Sequence, residues 1–148
     1  MAAVDTVRNF YTSLAAGDVT TLSGLFADEL AWTEAKGFPY YSGTWTSFAE
    51  IAEKLLGPIG RDWDGFAATP AEFLVTDDGR VVTIGTYSGA YRATGKLMRA
   101  AFAHVWRVSN ERITRFHVYR HFAHRPGDEV GNRPLCAIHP ATLRLLRR

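Results

Sequence analysis

"KLMRAAFAHVWRVSNERITRFHVY", Lys96 to Tyr119, is the stretch that decides the fold. On both sides of "SNE", Ser109 to Glu111, the chain reads with a period of two, the repeat of a β-strand. "SNE" is short enough for a tight connection, so the halves read as antiparallel neighbours. Working backwards, "FAATPAEFLV" (66–75) and "RVVTIGTYSGAYRA" (80–93) carry the same period. "TDDG" and "ATGK" supply two more tight connections. The second half of the chain is therefore a four-stranded antiparallel meander.

The first half has the helical period. Val4, Val7, Phe10, Tyr11 and Leu14 form one apolar stripe, and "AAGD" ends that helix at Gly17. Leu22, Leu25 and Phe26 mark a short second helix, and "LAWTE" (30–34) a short strand. "TSFAEIAEKLLGPIG" predicts a third helix, with Ser47 and Glu50 as a capping box, Phe48, Ile51 and Leu55 as its stripe, and Gly57-Pro58 as its stop. Helices first and strands later predict an α+β fold, with helices packed on one face of a sheet. "AAFAHVW" (100–106) is almost apolar at both parities, so that strand is buried on both faces. Helices cover one face. A second copy of the chain is the simplest cover for the other, which predicts a homodimer.

The bulk numbers exclude several classes. A chain of 148 residues with 47% hydrophobic and 22% charged residues is one ordinary globular domain. A net charge of +2 gives no ground for nucleic-acid binding, and "RLLRR" (144–148) reads as a solvated tail. Cys136 is the single cysteine, so neither an intramolecular disulfide nor a thiolate metal cage is expected. "MAAVDTVRNF" has no basic region followed by an apolar run, and no apolar stretch has the roughly 18 residues that cross a bilayer. These features predict a cytoplasmic protein without membrane association. From Val130 the composition shifts, so 1–129 is read as the domain and 130–148 as an extension of unassigned role.

"WTEAKGFPYYSG", Trp32 to Gly43, sets Glu34 among Trp32, Phe38, Tyr40 and Tyr41. Desolvation by such neighbours would raise a carboxylate pKa toward neutrality, which suits a general base. The alternative is a solvated strand-end glutamate, or one paired with Lys36 or Arg99. His104 can donate a hydrogen bond to a developing oxyanion, or can be a core histidine bonded to a carbonyl. Tyr87 and Tyr91 are read as packing on the sheet. His117 and His121 lie four apart, about 13 Å on a strand, too far to share an ion, so no metal site is expected. Ser88 in "GTYSG" lacks the strand-to-helix context of a nucleophile elbow.

"FYTSLAAGDVTTLSGLFADELAWTEAKGFPYYSGTW" (10–45) followed by "HVWRVSNERITRFHVY" (104–119) resembles the SnoaL-like and ketosteroid-isomerase-like branch of the nuclear-transport-factor-2-like superfamily. The similarity spans about residues 4–122. It implies a conical α+β barrel, in which a strongly curved, mainly antiparallel sheet and three N-terminal helices enclose a pocket. A homodimer is the usual assembly. It does not imply one reaction, since the superfamily includes isomerases, polyketide cyclases, dehydratases and noncatalytic members.

Two positions carry over from the isomerases. Their base lies nine residues before the glycine of an "SG" pair, which here maps Ser42-Gly43 onto Glu34. Their oxyanion-binding acid, late on the penultimate strand, maps onto His104. Their first-helix tyrosine, seven residues before the glycine of "AGD", falls on Phe10, and Tyr11 sits about 100° further round the helix. The polyketide cyclases' last-strand carboxylate has no counterpart between Arg112 and Phe122.

An inward His104 brings Phe102 and Trp106 with it, and the aligned inward set on the last strand is Ile113, Arg115, His117, Tyr119 and His121. A one-residue slip would substitute Phe116, Val118 and Phe122. The expectation is a cofactor-independent acid/base enzyme, of isomerase, cyclase or dehydratase type, acting on a hydrophobic carbonyl-bearing small molecule such as a polyketide- or steroid-like metabolite. Glu34 would be the base, and His104 with His117 or Tyr119 the oxyanion donors. Trp32, Phe38, Tyr40, Phe102, Trp106 and Arg115 would contact substrate. The alternatives are a noncatalytic small-molecule binder and an interaction module with a vestigial pocket.

Overall fold

"AAGD" both ends one helix and starts the next. In the computed structural model, which describes residues 2–36, 38, 40 and 43–119, α1 (Ala3–Ala16) stops at Gly17, whose φ of 67° is left-handed. The Asp18 amide closes back onto Ser13 O. The Asp18 carboxylate then accepts from Thr21 N at 3.0 Å and caps α2 (Val19–Gly24). Phe26, read as helical from its spacing, instead opens β1 (Phe26–Thr33). Its ring packs among Phe10, Trp32 and Phe48, a tertiary gain that outweighs extending a helix of six residues.

After β2 (Thr44–Trp45), Ser47 accepts from Glu50 N and caps α3 (Phe48–Ile51). Glu50 does not reach back to the cap, and bonds Thr46 Oγ1 instead. Gly57-Pro58 does not stop the helix. A π-helical turn over Ala52–Leu56 leads directly into α4 (Gly57–Asp62). Pro58 has no N–H for the normal ladder, and the wider turn shifts the register before it, with Gly57 N–H reaching Ala52 O.

The meander follows as β3 (Trp63–Val75), β4 (Val81–Tyr91), β5 (Leu97–Ser109) and β6 (Arg112–Tyr119). The six strands form one curled sheet in the order β2-β1-β6-β5-β4-β3. It is an α+β fold as expected, but the sheet is not closed into a barrel. β1 lies parallel to β6, and the other pairings are antiparallel. Among the described residues no helix is long and apolar enough to cross a membrane.

The core lies between α1 and the concave face. Phe10 is its hub, with ring centroids 4.8 Å from Trp106 and 6.0 Å from Trp32. Burial of each such ring contributes on the order of 2–3 kcal/mol. Gly85 is required on this face, because a Cβ there would collide with Thr69 O and come within 2.5 Å of the Phe102 ring.

β6 corrects the expected parity. Arg107 pairs with Arg115 and Val108 with Ile113, so Thr114 is an extra residue in the strand. That bulge shifts every later side chain to the opposite face. Ile113 is buried as expected, but Phe116 and Val118 face inward opposite Trp106 and His104. Arg115, His117 and Tyr119 point to the outer face. His121, Phe122 and the extension from Val130 lie outside the described residues.

Candidate functional site

The interior carries polar groups that a plain core would not. β5 places Phe102, His104 and Trp106 on the concave face, and His104 is 3% exposed. Its ring lies flat on Phe102, with centroids 3.9 Å apart and planes 12° from parallel. Gly85 leaves the room for that Phe102 ring, being its direct partner on β4.

Both imidazole nitrogens are hydrogen-bonded. Nδ1 meets the Tyr11 hydroxyl at 2.6 Å, and Nε2 meets the Tyr87 hydroxyl in a shorter contact. A neutral imidazole has one donor and one acceptor, so the Tyr11–His104–Tyr87 chain has a direction. One phenol gives its proton to the ring. The other receives the ring N–H and keeps its own O–H for a further partner. Burial pushes the Tyr11 phenol well above its usual pKa, with Thr83 and Trp106 offsetting part of the rise. Tyr11 therefore acts as a hydrogen-bond donor rather than as an acid that ionises.

Sequence reasoning missed both tyrosines. Tyr11 was expected off the site because Phe10 occupies the aligned position. α1 buries a stripe wide enough for both, with Tyr11 4% exposed. Tyr87 shares the concave parity of Val81, Thr83 and Gly85, a signal readable only with the β4–β5 register, where Thr83 pairs with His104. Tyr91, by contrast, packs on Trp63 at the sheet end and is 37% exposed.

Glu34 sits just past β1 and is 5% exposed. It accepts a 2.9 Å hydrogen bond from Trp32 Nε1. Trp32 stacks on Phe116 at 3.7 Å, and Phe116 meets the edge of His104 at 4.8 Å. Glu34 and His104 thus belong to the same buried aromatic interior, linked through one ring pair.

The other expected site residues divide. Trp106 and Phe102 line this interior. Phe38 packs edge-on against Tyr40 at 5.2 Å, and the Tyr40 hydroxyl donates to Asp62 at 2.8 Å, tying the segment after β1 to the end of α4. Burial, followed by the Asp62 bond, raises the Tyr40 pKa to about 12. Arg115, His117 and Tyr119 are not brought to His104. On the outer face His117 and Tyr119 stack on each other at 4.5 Å, and burial lowers the His117 pKa.

Comparison with known proteins agrees with this architecture. An NTF2-like protein from Burkholderia thailandensis superposes with a TM-score of 0.74 and 32% identity, over 80% of this chain and 90% of that one. TerC, co-crystallised with polyporic acid, gives 0.70 and 22% over 80% and 91%. A protein with a ketosteroid isomerase-like fold from Catenulispora acidiphila, in complex with trimethylamine, gives 0.65 and 17% over 77% and 83%. The last two share the fold alone. A comparison with curated proteins finds no match. The profile of the SnoaL-like domain matches residues 7–116. With that span, a third of the residues shared with the Burkholderia thailandensis protein, and a curled sheet over an aromatic interior, the chain belongs to the SnoaL-like domain family, on the NTF2-like fold.

Proposed function

We propose that this protein is a cofactor-independent acid/base enzyme acting on a hydrophobic, carbonyl-bearing small molecule of the polyketide- or steroid-like kind. The observation that carries this reading is the buried Tyr11–His104–Tyr87 chain in the same interior as buried Glu34. Glu34 takes a proton from the carbon beside the carbonyl. The C–H electron pair passes into the enolate, and its oxygen is stabilised by a phenol O–H of the Tyr11–His104–Tyr87 chain. Isomerisation, ring closure or loss of a leaving group follows according to the substrate. His117, Tyr119 and Arg115 have no part in this version, because the Thr114 bulge turns them outward. The polyporic acid found with TerC agrees with a small-molecule ligand.

One observation favours a second reading. Glu34 is bound to Trp32 Nε1, which would equally suit a carboxylate that only anchors Trp32 in a noncatalytic binding protein. Native mass spectrometry of the purified protein separates the class from others. The reading expects a co-purified apolar molecule with a carbonyl or enol oxygen. A nucleotide or sugar in that place would overturn it.

The same proposal includes a homodimer through the convex face. Ile84 and Val105 share that face and are only partly buried, and Leu74 is 36% exposed beside them. Sedimentation at micromolar concentration should give twice the chain mass, and a clean monomer would remove this part.

A further inference from the structure

Among the described residues, two buried polar side-chain atoms have no hydrogen-bond partner: Thr83 Oγ1 and Trp106 Nε1. Both residues are 0% exposed. Buried polar groups are almost always satisfied, so each unpaired one calls for an explanation. Here the two are together. Thr83 on β4 pairs directly with His104 on β5, and Trp106 is the next residue on the same face of β5. The Trp106 ring meets the Tyr11 ring edge-on at 5.9 Å, and Thr83 and Trp106 both act on the Tyr11 hydroxyl to oppose the rise in its pKa. The groups therefore come together from β4, β5 and α1 beside His104.

We propose that Thr83 Oγ1, Trp106 Nε1 and the Tyr11 hydroxyl form a binding site for a single oxygen atom, filled by water in the free protein and by the carbonyl oxygen of a bound molecule. The second half of this statement rests on the function proposed above. The chemistry selects the occupant. An indole N–H only donates, so the occupant must accept. A threonine hydroxyl donates or accepts, and a water with three such partners is well held. A carbonyl oxygen, with two lone pairs, accepts from two of them and gains more as charge develops on it. The site also gives the Tyr11–His104–Tyr87 chain an outlet. A phenol O–H released by His104 has an oxygen waiting at the Tyr11 end.

A high-resolution crystal structure of the full chain tests the first half. One density peak is expected within about 3.2 Å of both Trp106 Nε1 and Thr83 Oγ1. The near-isosteric Thr83→Val protein should lose that peak or show it much weakened while keeping its fold. A wild-type map with no peak there overturns the proposal, as does a map in which both atoms bond directly to other protein groups. Crystals soaked with β-tetralone, a hydrophobic ketone, test the second half. The ketone oxygen should replace the water on Trp106 Nε1. A bound ketone beside a retained water overturns the ligand half and leaves a water site. Crystals that take up no ketone remove the ligand half together with the proposed function, and the water peak stands independently.

Discussion

Replacing Tyr11 by phenylalanine isolates the energetic link between α1 and β5. The ring stays, and so do its contacts with Phe10 at 5.2 Å, Phe73 at 5.9 Å and Phe102 at 6.3 Å. Only the oxygen is lost, so no cavity term enters. What remains is a buried His104 nitrogen without the partner it had at 2.6 Å. Leaving such a group unpaired costs about 1–3 kcal/mol. For a chain of this size each kcal/mol lowers Tm by roughly 2–4 °C, so a fall of about 2–12 °C is expected. Tyr87→Phe should behave alike. In either single variant the imidazole can turn its one N–H toward the surviving phenol and leave only an acceptor unpaired. In the double variant the N–H loses its phenol as well. The two changes should therefore cost more together than their sum, by about 0.5–3 kcal/mol, the range for groups in one network. Urea denaturation of the four proteins gives the cycle. A Tyr11→Phe protein within about 0.5 kcal/mol of wild type, or strict additivity, would show that the Tyr11–His104–Tyr87 chain does not couple α1 to β5.

Gly85→Ala should destabilise by about 1–3 kcal/mol or more, since the new methyl meets the Phe102 ring and the Thr69 carbonyl, and thermal melts check this. Alkali should weaken the fold through Tyr11 and Tyr40, both with pKa values raised in the folded state above the ordinary 10.0. The folded protein keeps protons that the unfolded chain gives up. Their contribution is full below pH 10 and falls as pH rises, with the Tyr40 share gone by about 12. The Tyr11 share has a slope of up to about 1.4 kcal/mol per pH unit. Stability measured against pH in Tyr11→Phe should be flatter, and a curve parallel to wild type would exclude Tyr11 as its source.

The period-two pattern from Phe66 onward placed all four meander strands, and the Ser47 cap placed the third helix, because each is a local signal. Glu34 and His104 were singled out from the sequence as candidates, and both are buried. What could not be read depends on register. The extra residue at Thr114 is invisible until β6 is laid against β5, yet it sends Phe116 inward and His117 outward. Tyr87 becomes a His104 partner only through the β4–β5 pairing. Tyr11 was set aside because one helix position was compared with one aligned residue, whereas the helix buries a stripe. Pro58 was read as a stop because the π turn that accommodates it has no sequence signature of its own.

In the proposed function, Glu34 is a base in an interior that stabilises an enolate. Proton NMR in heavy water measures it without knowledge of the natural substrate, by following loss of the hydrogens beside the carbonyl in a panel of hydrophobic cyclic ketones. The wild-type protein should accelerate exchange of at least one ketone above the buffer rate. Glu34→Gln, which keeps shape and hydrogen bonding, should slow that exchange by about two to four orders of magnitude while the ketone still binds. Undiminished exchange in a folded Glu34→Gln protein would contradict the account, and so would a wild-type rate no faster than buffer across the panel.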